Sequence, residues 1–328
     1  MTNDAAVRAE GLVREFGAVK AVDGLDLTVP RGSVVGLLGP NGAGKTTTVR
    51  ILATLLAPTA GVAYVGGFDV TKRPDEVRRV IGLTGQYAAI DEYLTGRENL
   101  RMFGDLYHLP RRVVRERSEQ LLESFELLDA ADRPARTYSG GMRRRLDLAA
   151  SLVAQPSILF LDEPTTGLDP RSRLGMWDVI RQLVSDGTTV LLTTQYLEEA
   201  DQLAQDIVVI DHGRVIAQGS ADQLKDRVGG DRLELTVAVA GTAQAAATAL
   251  APLAGAAPRL DGDHVIVPVS GGSRVVVEAV RALDGAGVEV TDLALRRPTL
   301  DDVFLSLTGR AAEDEDQSPT TKRRKGRR

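Results

Sequence analysis

From Val34 the chain reads VVGLLGPNGAGKTTTVRIL, an apolar run, a glycine-rich loop and a segment that should turn helical near Lys45. The spacing is G-x-x-x-x-G-K-T, and its chemistry is that of a polyphosphate cradle. Phosphate oxygens need many donors at close range. Gly39, Gly42 and Gly44 let backbone N–H groups turn inward where a side chain would obstruct them, with Pro40, Asn41 and Ala43 completing the loop. Lys45 adds a point charge for the terminal phosphates, and the Thr46 hydroxyl can ligate Mg²⁺, a hard ion that prefers oxygen; Thr47 follows in the first helical turn. The alternative, a chance glycine turn, is disfavoured by the strand before it and the helix after it. The expected ligand is a nucleoside triphosphate.

A second strand supports this. SILFLDEPTTGLDP runs from an apolar segment, Ile158 to Leu161, straight into Asp162 and Glu163. Adjacent carboxylates at a strand end are costly unless something cationic meets them. In a phosphoryl-transfer site Asp162 holds the Mg²⁺ and Glu163 acts as general base toward water. Standing alone, the pair reads equally well as solvated acids in a turn. Between the two strands lies YSGGMRRRLDLAASLVAQP, where Ser139, Gly140 and Gly141 stand at an expected helix start with Met142, Leu146, Ala149 and Val153 as its buried stripe. A helix N-terminus with bare glycine amides suits an anion; Ser139 is also a plain N-cap.

Taken in order, the phosphate loop, Gln86, Tyr138 to Met142, the carboxylate pair, Gly167-Leu168-Asp169 and Gln195 resemble the motifs of ABC-type ATPases over residues 7 to about 225. The segment around Gln86, the glutamine at 195 and LDDVFL near the end are most similar to ATP-binding subunits of daunorubicin-resistance-type exporters. The resemblance implies an α/β P-loop ABC-type domain over residues 1–227, with a mixed sheet core, an antiparallel β-subdomain and a helical subdomain at about 90–155. It implies ATP and Mg²⁺ as cofactors, the metal being held by Thr46, Gln86 and Asp162. It also implies that Phe16 stacks on adenine and that Asp169 belongs to the nucleotide-binding loops. Most of the family has histidine where this chain has Gln195, which is expected to orient water and γ-phosphate. The signature of one subunit faces the phosphate loop of a second, so two ATP lie between two chains. A single set of motifs without internal repeat then requires a dimer, most simply an isologous homodimer. The helical subdomain would meet a separate integral-membrane permease, and the function would be ATP-driven drug or antibiotic efflux.

The remaining composition sets limits. There are 328 residues, 43% hydrophobic, with a net charge of −5 and no cysteine, which excludes disulfides, thiolate metal sites and cysteine nucleophiles. The start, MTNDAAVRAEGLVREF, lacks the pattern of a signal peptide, so the expected location is cytoplasmic, peripheral on the inner face of the membrane through the permease. Leu235 to Pro258 is uncharged, but its alanine content and its breaks at Gly241, Pro252 and Gly255 favour a strand and a short helix over a membrane span. His108, His212 and His264 have no metal-ligand spacing.

Residues 228–310 read as strand 232–239, helix 243–251, strand 264–268, helix 273–284 and strand 288–296, a small α/β accessory domain whose order suggests a ferredoxin-like fold. The closing LDDVFLSLTGR is expected to be a helix docking back through Leu300, Val303, Phe304 and Leu307. Residues 311–328, acidic and then basic, form an expected disordered tail. Its basic residues could meet nucleic acid or acidic lipid, but a solvated terminus is the plainer reading, and no nucleic-acid partner is expected. The alternatives are ATPases exporting lipid, polysaccharide or peptide, and non-transport ABC ATPases acting on nucleic acid or ribosomes. Those acting on DNA carry long coiled-coil interruptions and those on ribosomes carry two modules; neither sign is present.

Overall fold

The computed structural model describes residues 5–85, 89–227, 230–270 and 272–308; Gln86 and the charged tail lie outside these. The chain opens with two long strands, β1 (Ala5–Phe16) and β2 (Val19–Pro30), paired antiparallel through a turn at Gly17. β3 (Val34–Leu38) is buried at all five residues, the signature of a central strand covered on both faces. It runs through the glycine loop into α1 (Lys45–Leu52). β4 (Ala60–Val65) and β5 (Phe68–Asp69) return to β1 and complete a four-stranded antiparallel sheet of order β2-β1-β4-β5.

α2 (Pro74–Val80) leads into β6 (Ile81–Thr84). Three helices follow, α3 (Gly96–Leu106), α4 (Arg111–Ser124) and α5 (Gly140–Ser151). Thr95 and Glu98 form a reciprocal capping box at the start of α3, which fixes where that helix begins. Leu100, Leu121, Leu122, Phe125 and Leu146 give the three helices a common apolar core. Then come β7 (Ile158–Asp162), α6 (Pro170–Ser185), β8 (Thr189–Thr194), α7 (Leu197–Leu203), β9 (Asp206–Asp211) and β10 (Arg214–Gly219). The central sheet has the order β10-β9-β3-β8-β7-β6, parallel except for β10.

After α8 (Ala221–Asp226) the chain forms β11 (Arg232–Val237), α9 (Ala243–Leu250), β12 (Arg259–Asp261), β13 (His264–Pro268), α10 (Arg274–Gly285) and β14 (Val290–Arg296). The sheet order β12-β13-β11-β14, antiparallel throughout, with two helices in a βαββαβ sequence, is the ferredoxin-like arrangement. The sequence pattern omits β12, whose three residues are all exposed and so carry no apolar alternation. Among the described residues no helix is long and apolar enough to cross a membrane.

α11 (Leu300–Thr308) packs against α7 and α8. Its Leu300, Val303 and Phe304 share one core with Leu38, at the end of β3, and Leu197, two residues past Gln195. Leu307, expected in that contact, is on the same stripe but in the last turn of the helix, beyond the core that Leu300, Val303 and Phe304 share, and is 38% exposed. Phe304→Ala is therefore expected to cost about 3–5 kcal/mol of stability, read as a lower midpoint of denaturant unfolding. Leu307→Ala should change it by less than about 0.5 kcal/mol.

Candidate active site

Parallel pairing sets the level of the site. Leu38 lies opposite Thr194 across β3 and β8, and Thr193 lies opposite Asp162 across β8 and β7. Gly39, Gln195 and Glu163 therefore leave three neighbouring strands together at the carboxyl edge of the sheet, where open α/β sheets bind ligands.

Two glycines of the loop are dictated by close approach. A Cβ on Gly39 would stand 2.3 Å from the Ile210 carbonyl oxygen, and one on Gly44, whose φ is +108°, would stand 2.3 Å from that of Ala21. The loop is thus pressed between β9 and β2. Ala43 N–H donates to the Pro40 carbonyl at 3.1 Å, and Asn41 and Gly42 are exposed at the rim. Lys45 is buried; its ammonium donates to the carbonyls of Gly39 at 2.7 Å and Pro40 at 3.2 Å and lies 3.7 Å from Glu163 Oε1. Thr46 and Thr47 follow, both half-buried.

Asp162 is also buried. One of its oxygens accepts from the Thr46 hydroxyl at 3.1 Å and from the Thr193 hydroxyl at 2.6 Å. Hydroxyl and carboxylate so joined are hard oxygen donors, the set that suits Mg²⁺. Among the described residues no group of three or more His, Cys, Asp or Glu is placed for a metal, so a cation here would draw its other ligands from phosphate and water. Glu163 has φ +53°, a left-handed conformation that costs a non-glycine residue about 1–2 kcal/mol. Its N–H donates to the Thr193 carbonyl at 3.0 Å.

Gln195 is half-buried and its Oε1 is enclosed without a hydrogen-bond partner. Phe16 is 48% exposed, not core, and the Arg14 guanidinium stacks 4.6 Å from its ring centre. Ser139 caps α5 by accepting from Met142 N–H at 3.2 Å, and Gly140 is exposed beside it. A Cβ on Gly141 would meet Ser172 Oγ at 2.7 Å, so the start of α5 abuts the start of α6. Asp169 caps α6 and accepts from the Ser172 N–H at 3.0 Å and hydroxyl at 2.6 Å, bonds that hold its carboxyl below the usual range.

Three buried ionisable residues around this edge are not evident in the sequence: Arg144, Asp147 and Glu199. Glu199, on α7, accepts from the Thr165 hydroxyl at 2.8 Å and the Trp177 indole at 3.3 Å, tying the helix after Gln195 to the loop after Glu163 and to α6. Its EEAD context reads as an ordinary solvated helix face, so nothing in the local pattern marks it as buried.

Burial pushes the Glu199 carboxyl up, against the pull of the Thr194, Thr165 and Trp177 hydrogen bonds and of Arg173. A raised folded-state value means that stability is greatest below the unfolded value near 4.3 and declines as pH rises through the folded one. Glu199→Gln keeps an acceptor for Thr165 and Trp177 without the buried charge. Its Tm relative to wild type is expected to rise between pH 5 and 8; a difference that stays flat with pH would contradict this.

Comparison with known proteins agrees with the geometry. Residues 22–166 match the family described as ABC transporter. The chain is 57% identical over 306 residues to Daunorubicin resistance ATP-binding protein DrrA3 of Streptomyces coeruleorubidus, covering 93% of this chain and 96% of the relative. It is 53% identical to Daunorubicin/doxorubicin resistance ATP-binding protein DrrA of Streptomyces peucetius, covering 94% of each. Among solved structures it is similar to an ATP-binding cassette of an ABC transporter in the ADP conformation, at 27% identity and TM-score 0.61, covering 68% of this chain and 93% of that one. It is also similar to a dimeric ATP-binding cassette in a post-hydrolysis state bound to ADP and Pi, at 26% identity and TM-score 0.59, covering 65% and 98%. On a likeness that spans nearly its whole length, the chain belongs to the ATP-binding proteins of ABC transporters and is an ATPase of that family.

Proposed function

We propose that this chain hydrolyses ATP as one half of a homodimer and drives a separate membrane permease that exports drug-like compounds. The observation that carries the reading is the gathering of Lys45, Thr46, Asp162, Glu163 and Gln195 at one edge of the sheet. Lys45 and the glycine amides of the loop from Gly39 to Gly44 bind the β- and γ-phosphates, and Phe16 stacks on adenine. Thr46, Asp162 and Gln86 hold Mg²⁺, which neutralises charge developing on the phosphate oxygens. Glu163 takes the proton of the attacking water, and Gln195 orients that water and the γ-phosphate. Ser139, Gly140 and Gly141 act on the γ-phosphate held by the partner copy, and Asp169 lies in the loop that meets it.

Support for drug export comes from relatives. Those named for daunorubicin or doxorubicin resistance are 48–57% identical, against 39–40% for those named for Nod factor export. The single motif set supports a homodimer, as does likeness to a dimeric cassette. The chain works at the cytoplasmic face of the membrane, reached through the permease. Co-reconstitution with that permease in vesicles and ATP-dependent uptake of an anthracycline tests the substrate class; uptake of a lipid-linked saccharide in its place would redirect the assignment.

Glu163→Gln is expected to bind MgATP normally, to lose at least about 10²-fold in turnover and to accumulate as an ATP-bound dimer on size exclusion. Lys45→Ala should weaken binding instead. A wholly monomeric Glu163→Gln protein with ATP, with and without permease, would remove the support for the sandwich.

Glutamine can donate and accept hydrogen bonds but carries no proton's charge near neutral pH, whereas imidazole does. Gln195→Ala is expected to lose most turnover. Gln195→His should stay active, with a rate more dependent on pH between about 6 and 8. Steady-state hydrolysis of the three proteins across pH decides it; wild-type activity equal to that of the alanine variant would assign Gln195 no part in turnover.

A further inference from the structure

Arg144 lies on α5, five positions after Ser139, and is buried. Its Nη2 donates to the carbonyls of Glu163 at 2.8 Å and Asp162 at 3.2 Å, and its Nε to that of Pro164 at 2.8 Å. Successive carbonyls of an extended strand point to opposite sides. The left-handed backbone of Glu163 breaks that alternation, so three consecutive carbonyls meet one guanidinium. The fourth bond, from Nη1 to the carbonyl of Gly85 at 2.6 Å, reaches the residue that directly follows β6. Asp147, one turn further along α5, lies 3.7 Å from Nη1 and accepts from Ala89 N–H at 2.6 Å. Burial presses the Arg144 guanidinium below its ordinary value and the Asp147 carboxyl above its own, and each offsets the other's cost by supplying the opposite charge.

We propose that Arg144, paired with Asp147, is a positioning residue for hydrolysis: it holds the Glu163 backbone in its left-handed turn, and so ties the aim of that carboxylate to the seat of α5. This rests on the reading of Glu163 as general base. A planar fork can serve three carbonyls at once, whereas an ammonium cannot match its geometry.

The test is a cycle on the full chain: wild type, Arg144→Lys, Glu163→Gln and the double variant, measured by single-turnover MgATP hydrolysis and by MgATP binding. Arg144→Lys is expected to slow hydrolysis about 30- to 100-fold, as a misaimed group does, with Kd within about 3-fold of wild type. In the Glu163→Gln background it should cost less than about 2-fold more, because its effect passes through the missing carboxylate. A purely structural role would give the same proportional loss in both backgrounds and overturn the inference, as would near-wild-type turnover of Arg144→Lys or a Kd weakened as much as the rate. Near-wild-type turnover of Glu163→Gln would overturn the base assignment and this inference with it, a result the other three cannot mimic. Should Arg144→Lys not fold, Arg144→Gln, which keeps one amide donor, runs the same cycle.

Discussion

The register of β3, β8 and β7 is the constraint on which the site depends, and apolar side chains enforce it. Val34, Val190, Leu192, Leu159 and Leu161 point into the core shared with the helical region. Val35, Leu37, Leu191, Ile158 and Phe160 point the other way, into the core shared with the antiparallel sheet. Because side chains alternate along a strand, a slip of one residue would exchange the two sets and misfill both cores. A slip of two would carry a strand end about 6–7 Å out of line. The polar groups at the carboxyl edge are therefore aligned by residues that never touch a ligand.

Alignment alone does not make such an edge stable. Six side chains of the charged types Asp, Glu, Lys and Arg are buried among the described residues: Lys45, Arg144, Asp147, Asp162, Glu163 and Glu199. All lie at the carboxyl edge or on the loops and helices around it, and each unpaired charge there would cost several kcal/mol. The chain offsets this locally: Asp162 takes two hydroxyls, Lys45 takes two loop carbonyls and lies near Glu163, and Arg144 takes four carbonyls beside Asp147. Most of these partners are backbone carbonyls, neutral dipoles whose oxygens solvate a buried cation without themselves titrating.

What the sequence revealed follows from how local each signal is. The loop from Gly39 to Thr46 is legible because its chemistry is carried by adjacent residues with strand and helix on either side, and the structure adds only why Gly39 and Gly44 admit no Cβ. The ferredoxin-like order was readable from apolar alternation, except for β12, which is exposed and three residues long. Arg144 was hidden for a different reason. Within RRRLDLAA it looks like one of three solvated arginines, and the carbonyls it serves lie 18 to 59 positions away. Glu199 was hidden likewise, its Thr165 partner being 34 positions distant. Burial of a charged residue is a property of the packed molecule, and no pattern of neighbours encodes it.

The same geometry gives α5 two faces with different tasks. At its start Ser139 and Gly140 are exposed, with amides that a second molecule can reach. One turn on, Arg144 grips the backbone beneath Glu163. In the proposed dimer the first face meets the partner's nucleotide and the second steadies this chain's own carboxylate. A helix is stiff over three turns, so a displacement of its start is carried to Arg144 with little loss. If α5 seats on a partner's γ-phosphate as proposed, that seating would bear on the aim of Glu163 in its own site. The two hydrolytic sites would be coupled through one rigid element in each chain.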